Sequence, residues 1–441
     1  MNPTTIPIRA ADAAPPARRG RQERPVTDEA RAAVDAALAG LPLRRDLLIE
    51  YLHALSDRHR QLRTDHLAAL AERLRLAQVE VFEVASFYHH FDVVRENADA
   101  SFDAPPALTV RVCDGLACEL AGAKSLLERL PVLLGADVRV IAAPCIGRCE
   151  QAPAVAVHQH PLAHATPESV QAAVAAGERT HEPAAYVGLG AYRAGGGYAL
   201  LRQCMAGVRD VESVIAALEH SGLRGLGGAG FPAGRKWRIV RGQAAPRLMA
   251  VNIDEGEPGT FKDRTYLERD PHRFLEGVLV AAQVVGTEAV YLYLRDEYAG
   301  CRAILECELA RLREDPPCPL PPIELRRGAG AYICGEESAM LESIEGRRGE
   351  PRLRPPYIAE RGLFGRPTLE HNFETLYWVR DIVRKGPEWF AGFGRHGRNG
   401  LRSFSVSGRV AQPGVKLAPA GITLRELVDE YCGGMAEGHE L

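Results

Sequence analysis

Long apolar runs and an excess of basic charge are missing from this chain, and each absence removes a class of protein. No apolar run approaches the ~20 residues that a membrane helix needs, so we expect no membrane span. No secretory signal opens the chain, which favours a cytoplasmic location. The net charge of −3 over 441 residues argues against a nucleic-acid-binding surface. The Gly-Lys-Ser/Thr triplet of a Walker phosphate loop is also absent.

The length and the 46% hydrophobic content predict two to four domains with real cores. Residues 1–26, rich in Ala, Pro and Arg, are predicted to be a disordered tail, with a transit peptide as the alternative. Apolar residues three and four apart predict a helical bundle over 27–104. After Pro105 and Pro106, a strand–helix–strand pattern predicts a small α/β domain over 105–178. The glycine-rich stretch 179–205 is predicted to be a linker.

Ten cysteines in a chain of this kind indicate metal ligands or free thiols rather than disulfides. Four of them stand at the ends of two predicted strands, as Cys113-x4-Cys118 and Cys145-x3-Cys149. A [2Fe–2S] cluster is wider than one zinc ion, and plant-type ferredoxins also use a C-x4-C step. The pattern therefore favours [2Fe–2S], with a structural zinc site or inert thiols as alternatives.

A second motif runs from Gly222 to Trp237 as GLRGLGGAGFPAGRKW. Its glycines let backbone N–H groups approach a ligand, while Phe231 offers an aromatic face and Lys236 a cation. Gly225-x-Gly227-x-x-Gly230 fits the dinucleotide fingerprint literally, but that fingerprint needs a strand before the glycines. The preceding residues, 210–219, have a helical pattern. We therefore disfavour a Rossmann domain, and a flexible loop is the other alternative.

Two further motifs follow predicted buried strands. The first motif, Asn252 to Arg264, concentrates carboxylates around a glycine turn. In the functional interpretation, Asp254, Glu255 and Glu257 accept hydrogen bonds from a ring N–H and from ribose hydroxyls of a ligand. Lys262, one of only five lysines, would neutralise a phosphate. A solvated charged loop is the alternative. The second motif, 328–346, predicts a strand, a glycine turn and a helix beginning near Glu336 whose first amides face a phosphate.

Residues 28–178, a helical bundle ending in Val-Ala-Ser-Phe-Tyr followed by the four cysteines, resemble the small [2Fe–2S] subunit of the NADH-oxidising module of respiratory complex I. They are equally similar to the matching subunit of soluble NAD-dependent formate dehydrogenases and NAD-reducing hydrogenases. The resemblance implies a thioredoxin-like sheet carrying the cluster on Cys113, Cys118, Cys145 and Cys149.

Residues 206–441 resemble the flavoprotein subunit of the same module, through Gly-Gly-Ala-Gly-Phe-Pro, Asp-Glu-Gly-Glu-Pro-Gly and Gly-Ala-Tyr-Ile-Cys-Gly-Glu-Glu in that order. The resemblance implies direct hydride transfer between NAD(H) and FMN, without a catalytic acid or base, and electrostatic tuning of the flavin by Glu255. The implied FMN contacts are Gly225, Asn252, Asp254, Glu255, Tyr332, Gly335, Glu336 and Asn372. The implied NAD contacts are Phe231, Lys236, Glu257, Glu337 and Tyr357.

The implied fold class is a multidomain α/β protein. A non-Rossmann FMN- and NADH-binding domain over 206–400 would follow the bundle and the [2Fe–2S] domain, and a partial ubiquitin-like (SLBB-type) domain would occupy 401–441. Two details depart from the family: His371 stands where an asparagine is usual, and Ile239 where an aromatic residue can help to hold adenine. The family also carries a [4Fe–4S] cluster on a later Cys-x-x-Cys-x-x-Cys motif, whose ligands are absent from this chain.

The implied partners are other iron–sulfur subunits and a catalytic subunit. Similarity in the 186–264 and 401–432 segments favours a molybdenum-containing formate dehydrogenase subunit. The alternatives are an NAD-reducing hydrogenase and an NADH:quinone oxidoreductase. Two hypotheses from other classes stay open: a non-enzymatic assembly protein with a retained flavin fold, and a Rossmann dehydrogenase with a zinc module.

Overall fold

The structure, a computed structural model, describes residues 24–441. The tail predicted over 1–26 lies outside the described residues except for its last three. Of these, Arg24 donates its backbone N–H to Gln78 Oε1 at 2.9 Å. Within the described part of the chain, no helix combines the length and the apolar composition needed to cross a bilayer.

The N-terminal part is the predicted helical bundle. The Thr27 side chain caps the first helix by accepting from the backbone N–H of Ala30. Gly40 and Pro42 separate the first two helices, as the sequence predicts. The helices are α1 (Asp28–Ala37), α2 (Leu48–His59), α3 (Thr64–Leu74) and α4 (Gln78–Phe87), and the two-residue strands β1 (Leu62–Arg63) and β2 (Val93–Val94) pair in parallel.

The next domain, called here the cysteine domain, is built on a mixed four-stranded sheet. Its elements are β3 (Leu108–Cys113), α5 (Leu116–Leu120), α6 (Ala123–Leu134), β4 (Val138–Ala143), β5 (Val155–Val157), β6 (His160–Leu162) and α7 (Pro167–Ala176). The strand order is β4-β3-β5-β6, with β3 parallel to β4 and antiparallel to β5. The helices α6 and α7 pack on one face of this sheet.

The segment predicted to be a linker, 179–205, forms two packed helices, α8 (Leu189–Ala194) and α9 (Ala199–Met205). Its glycines form the turn between them. A Cβ at Gly197 would lie 2.1 Å from the ring of Tyr192, so only glycine fits there. The glycines therefore indicate close packing in this segment rather than a flexible connection.

The largest domain, called here the parallel-sheet domain, has four parallel strands in the order β10-β7-β8-β9. Helix α10 (Val211–His220) precedes the glycine motif, and helix α11 (Ala233–Arg241) follows it. No strand therefore leads into the glycines, which agrees with our disfavouring a Rossmann domain. The strands are β7 (Arg247–Ile253), β8 (Thr287–Leu294), β9 (Ile323–Arg327) and β10 (Thr368–Asn372). The helices are α10 (Val211–His220), α11 (Ala233–Arg241), α12 (Lys262–Leu267), α13 (Pro271–Val285), α14 (Ala299–Glu314), α15 (Glu337–Ile344), α16 (Ile358–Arg361), α17 (Phe373–Lys385) and α18 (Pro387–Ala391).

The C-terminal residues form an antiparallel hairpin, β11 (Leu401–Val406) and β12 (Gly414–Pro419), followed by the short helix α19 (Leu424–Glu426). The hairpin is attached to the parallel-sheet domain through Ser405, whose hydroxyl accepts from the backbone N–H of Phe261 at 2.9 Å. The assignment of this part to a ubiquitin-like domain stays a prediction.

One buried carboxylate, Glu308 on α14, holds the segment before α8 in place. Its two oxygens accept from the Tyr186 hydroxyl at 2.8 Å and the Leu189 backbone N–H at 3.0 Å. The same carboxylate is paired with His272 Nε2 at 2.6 Å, and both side chains are fully buried. A buried charge is tolerated only when it is paired and hydrogen-bonded, so this network joins three elements at one point.

We predict that Glu308→Ala lowers the free energy of unfolding by about 3 kcal/mol, because it leaves His272, Tyr186 and an amide without their acceptor in the core. Urea denaturation of the variant and the parent measures the difference. Glu306→Ala, an exposed position on the same helix, is the matched control and should change stability by less than about 0.5 kcal/mol. Equal stability of the two variants would contradict the structural role of Glu308.

Candidate functional site

A cavity of about 1260 Å³ opens at the carboxyl ends of β7 and β10. The chain passes from β7 through β8 and β9 in one direction and returns on the other side of β7 as β10, so the strand order reverses between β7 and β10. Ligands of open α/β sheets bind at such a reversal. Asn252 and Asn372, the residues implied for FMN at these two strand ends, are direct register partners.

All thirteen residues that the resemblance implies for FMN and NAD line this one cavity. They come from the glycine loop (Gly225, Phe231, Lys236), the acidic loop (Asn252, Asp254, Glu255, Glu257), the loop around α15 (Tyr332, Gly335, Glu336, Glu337), the segment before α16 (Tyr357) and the end of β10 (Asn372). The structure therefore brings the predicted set together, while the role of each member stays a prediction.

The glycine loop is fixed rather than flexible. Gly225 donates its N–H to the Phe231 carbonyl at 2.8 Å, and Leu226 donates to Thr375 Oγ1 at 2.9 Å. A Cβ at Gly227 would lie 2.9 Å from Cβ of Asn372, which explains this glycine by close approach. Within residues 24–441, the backbone N–H groups of 227–230 have no hydrogen-bond partner. These four residues line the cavity, so their amides are available to an anion there.

The first turn of α15, predicted to face a phosphate, is already occupied by a protein carboxylate. Glu336 Oε2 accepts from the backbone N–H groups of Ser338 and Ala339, both at 2.9 Å. This prediction is therefore wrong for those two amides, because the helix is capped by its own glutamate. The glycine loop retains the free donors instead.

Asp254 presents a carboxylate without a hydrogen-bond or ion-pair partner among the described residues. Burial raises the pKa of Asp254 to about 7, with the Arg295 charge opposing the shift. An acceptor that is half-buried and unpartnered on a cavity wall fits a ring N–H, which is the role predicted for it.

Glu255 lines the cavity, but its carboxylate is held by the protein. It accepts from the backbone N–H groups of Asp263 and Arg264 at the start of α12 and from the Tyr298 hydroxyl at 3.0 Å. Burial, and then the Asp263 charge, raise the pKa of Glu255 to about 7. Any influence of Glu255 on a flavin therefore acts through its charge rather than through a free oxygen.

The two lysines that the sequence singles out are both ion-paired at the cavity. Lys262 contacts Asp263 at 2.6 Å and Glu374 at 3.3 Å. Burial lowers the pKa of Lys262, but these carboxylates outweigh it and leave the pKa raised. Lys236 contacts Glu370 at 3.0 Å. A ligand phosphate would therefore meet an amino group of Lys262 that is shared with two acids.

Three further residues line the cavity but are not among the thirteen implied contacts. Arg354, which was not predicted from the sequence, pairs with Glu336 and lies 2.9 Å from Glu337. It is one arginine among many, and no local sequence pattern distinguishes it from the others. His371 is buried and accepts from Trp237 Nε1 at 2.8 Å, so it faces the protein as well as the cavity. Ile239 lines the cavity and is 39% exposed.

The four predicted cysteine ligands converge, and all are buried. Cys145 Sγ lies 3.3 Å from Cys149 Sγ, and Cys118 Sγ accepts from the backbone N–H of Ala154 at 3.4 Å. Hydrogen bonds from the Cys113 and Cys149 thiols, and then from backbone N–H groups of Gly259 and Gly147, hold the pKa of Cys145 well below its usual range. Sulfur atoms that receive N–H groups in this way are typical of iron–sulfur ligands.

The cavity is joined by buried side chains to the segment after β4 that carries Cys145 and Cys149, called here the cysteine loop. Arg295 donates to the Cys145 carbonyl at 2.6 Å and also to the Glu255 carbonyl. Arg264 donates its Nε–H to the Gly147 carbonyl at 3.0 Å. A Cβ at Gly147 would lie 2.4 Å from the Tyr298 hydroxyl, so the two surfaces touch at a glycine.

Two family models match the chain. The model described as Nuo51 FMN-binding domain matches residues 218–381, and the model described as Thioredoxin-like [2Fe-2S] ferredoxin matches residues 34–178. The first match contains the cavity loops, and the second contains the bundle and the four cysteines. Fold and sites therefore define an iron–sulfur flavoprotein that carries both cofactor domains in one chain.

Relatives make the assignment more specific. An NADH-quinone oxidoreductase subunit of Rhizobium meliloti is 44% identical over 262 residues, which are 57% of this chain and 62% of that protein. The mitochondrial NADH-ubiquinone oxidoreductase 51 kDa subunit of Neurospora crassa is 43% identical over 238 residues, 51% of this chain and 48% of that protein. A chain of an NAD+-reducing [NiFe]-hydrogenase, solved in the H2-reduced state, superposes with a TM-score of 0.73 and 32% identity over 88% of this chain and 70% of that one.

The chain belongs to the family of NADH-oxidising (diaphorase) modules, in which a thioredoxin-like [2Fe–2S] domain is joined to an FMN-binding flavoprotein domain. It spans about half to three fifths of the length of the curated relatives described above.

We predict that Asp254→Asn removes a pH dependence of stability in the protein freed of FMN. A carboxyl whose folded pKa is about 7 binds more protons in the folded state than in the unfolded state. Its effect on stability is therefore absent below about pH 4, becomes steadily more unfavourable between about pH 4 and 7, and is constant above that range. Tm measured across this range should be equal for variant and parent at low pH and higher for the variant above pH 7.

The control for this measurement is Asp137→Asn, an exposed aspartate outside the cavity, which should follow the parent at every pH. A difference between the Asp254 variant and the parent that stays constant with pH would mean that Asp254 is ionised in the folded protein throughout.

Proposed function

We propose that this chain is the NAD(H)-oxidising flavoprotein of an electron-transfer complex, exchanging a hydride between NAD(H) and FMN and single electrons with iron–sulfur clusters. One observation carries the proposal: the complete predicted ligand set lines a single cavity whose acidic loop lies directly against the cysteine loop. When bound, FMN supplies two-electron chemistry with the nicotinamide and one-electron chemistry with clusters.

The protein's contribution to this reaction is orientation and charge. We infer that the unpartnered amides of 227–230 bind a phosphate and that the Asp254 carboxylate accepts a ring N–H, because both line the cavity without a protein partner. Phe231, 39% exposed at the cavity mouth, offers a face on which a nicotinamide or adenine ring can stack. No side chain is required as a general acid or base, because a hydride transferred directly carries its own proton and electrons.

A [2Fe–2S] cluster on Cys113, Cys118, Cys145 and Cys149 would supply the one-electron site. Arg295 and Arg264 hold the cysteine loop against the wall of the cavity through backbone carbonyls. These two arginines fix the separation of the two sites, on which the rate of electron exchange depends.

The identity of the larger complex is a finer prediction. We propose a soluble, cytoplasmic NAD-dependent formate dehydrogenase with a molybdenum-containing catalytic subunit and further iron–sulfur subunits as partners, on the segment similarity described above. The 32% identity with a chain of an NAD+-reducing [NiFe]-hydrogenase supports a hydrogenase as the second candidate. The subunits that copurify with the native protein distinguish the two.

The experiment that tests the proposed activity is anaerobic reconstitution with FMN, iron and sulfide, followed by NADH-driven reduction of an artificial dye. We expect bound flavin to bleach on addition of NADH. Phe231→Ala should raise KM for NADH roughly fivefold, since loss of an aromatic stack costs on the order of 1 kcal/mol. Phe393→Ala, which is 38% exposed and lies outside the cavity, should leave KM unchanged.

Failure to bind flavin after reconstitution, or bound flavin that NADH does not bleach, would contradict the proposal and favour a non-enzymatic assembly protein. Zinc bound without iron or flavin would favour the remaining alternative.

A further inference from the structure

A second cavity, of about 470 Å³, lies on the side of the cysteine domain that α6 and α7 leave uncovered. On β3, Val110 and Val112 point into the core, whereas Thr109 and Arg111 alternate with them and line this cavity. The end of α2 and the start of α14 close it from the other side. This cavity shares no residue with the one assigned to FMN and NAD.

The walls of this cavity are rich in arginine. Five arginines from different elements line it: Arg60, Arg111, Arg139, Arg148 and Arg179. Two of them are ion-paired, Arg139 with Asp92 and Arg148 with Glu268. Two of the five, Arg111 on β3 and Arg139 on β4, stand on the sheet itself, beside apolar lining residues such as Leu108 and Ala156.

Each acidic residue in the cavity wall already has a basic partner. Asp57 is paired with Arg327 at 2.7 Å, and Glu297 with Arg295 at 3.1 Å. Asp296 is contacted by His90 at 2.9 Å and by Arg327 at 2.6 Å. Asp92 is the partner of Arg139. Every lining carboxylate is therefore paired, Asp92 with one of the five lining arginines and both Asp57 and Asp296 with Arg327.

Three lining arginines have no carboxylate partner within residues 24–441. Arg60 donates only to the backbone carbonyls of Pro106 and Ala107. Arg111 and Arg179 have no side-chain hydrogen bond or ion pair among the described residues. Burial lowers the pKa of Arg111, so its charge is held there at a cost. Of the three, only Arg111 is half-buried, where the Asp296 and Glu297 charges oppose the lowering of its pKa, while Arg60 and Arg179 are exposed. A guanidinium without a carboxylate partner binds an anion through two of its N–H groups.

We propose that this cavity is a binding site for a small polyanion carrying phosphate or carboxylate groups, with Arg111 and Arg179 as its principal ligands and Arg60 at the rim. The volume exceeds that of one phosphate ion and suits a compact organic anion with two such groups. The site is separate from the proposed activity, and only the control titration with FMN rests on the proposed function.

The test is a titration of the full chain with inorganic phosphate, pyrophosphate and citrate at constant ionic strength, followed by thermal shift and calorimetry. We expect saturable stabilisation by at least one of these anions relative to chloride. Arg111→Gln should weaken that binding by at least about tenfold, because a charge-assisted contact is lost. Arg179→Gln, at an exposed position that tolerates substitution, should also weaken it and keeps the test valid if Arg111→Gln does not fold.

Arg209→Gln, an exposed arginine outside the cavity, is the matched control and should leave the binding constant unchanged. The titrations are repeated with FMN present, which blocks phosphate at the glycine loop. Anion binding that persists with FMN and is lost in the two cavity variants supports the site. Absence of a saturable response, or a response that FMN abolishes and the variants leave intact, overturns it.

Discussion

The buried arginine Arg295 makes the contact on which the rest of the arrangement depends. Its guanidinium donates to the carbonyl of Cys145, in the cysteine loop, and to the carbonyl of Glu255, in the acidic loop of the cavity. A charge buried this deeply is stable only when each donor has a partner, so the two loops are held at one separation. Tyr298 packs against Gly147 and donates to Glu255, which gives the same junction a second link. Both candidate cofactor sites are therefore parts of one rigid unit.

The helical bundle supports the same unit from the opposite side, although it lies far from it in sequence. His89 and His90 donate their backbone N–H groups to Gly330 and Ala329, at the start of the loop that carries Tyr332. A Cβ at Gly330 would lie 2.3 Å from the His89 ring, and this glycine also has φ of +75°. The bundle and the parallel-sheet domain share one apolar core. The bundle therefore positions both a wall of the cavity and the cysteine domain.

The helices and strands were predictable from the sequence because they depend on local patterns, whereas the set of cavity residues came from the resemblance to a known family. Strand ends deliver Cys113 and Asn252 where alternation and motif spacing predict them. Predictions from the sequence were wrong where the conformation depends on contacts between residues far apart in the chain. Nothing near Glu336 distinguishes a glutamate that caps its own helix from one that faces a ligand, and the glycines of 195–197 look the same in a linker as in a packed turn. Arg295 is one of 49 arginines, and only its two remote carbonyl partners mark it out.

The central claim is that a flavin site and a [2Fe–2S] site lie in electronic contact within this one chain. The most direct measurement reduces both centres of the reconstituted protein, removes the reductant and adds NAD+ under anaerobic conditions. With NAD+ in excess, we expect the EPR signal of the reduced cluster to disappear and about three NADH to form for every two protein molecules, because each reduced flavin supplies two electrons and each reduced cluster supplies one through the adjoining flavin site. NADH formation with an undiminished cluster signal would contradict the central claim.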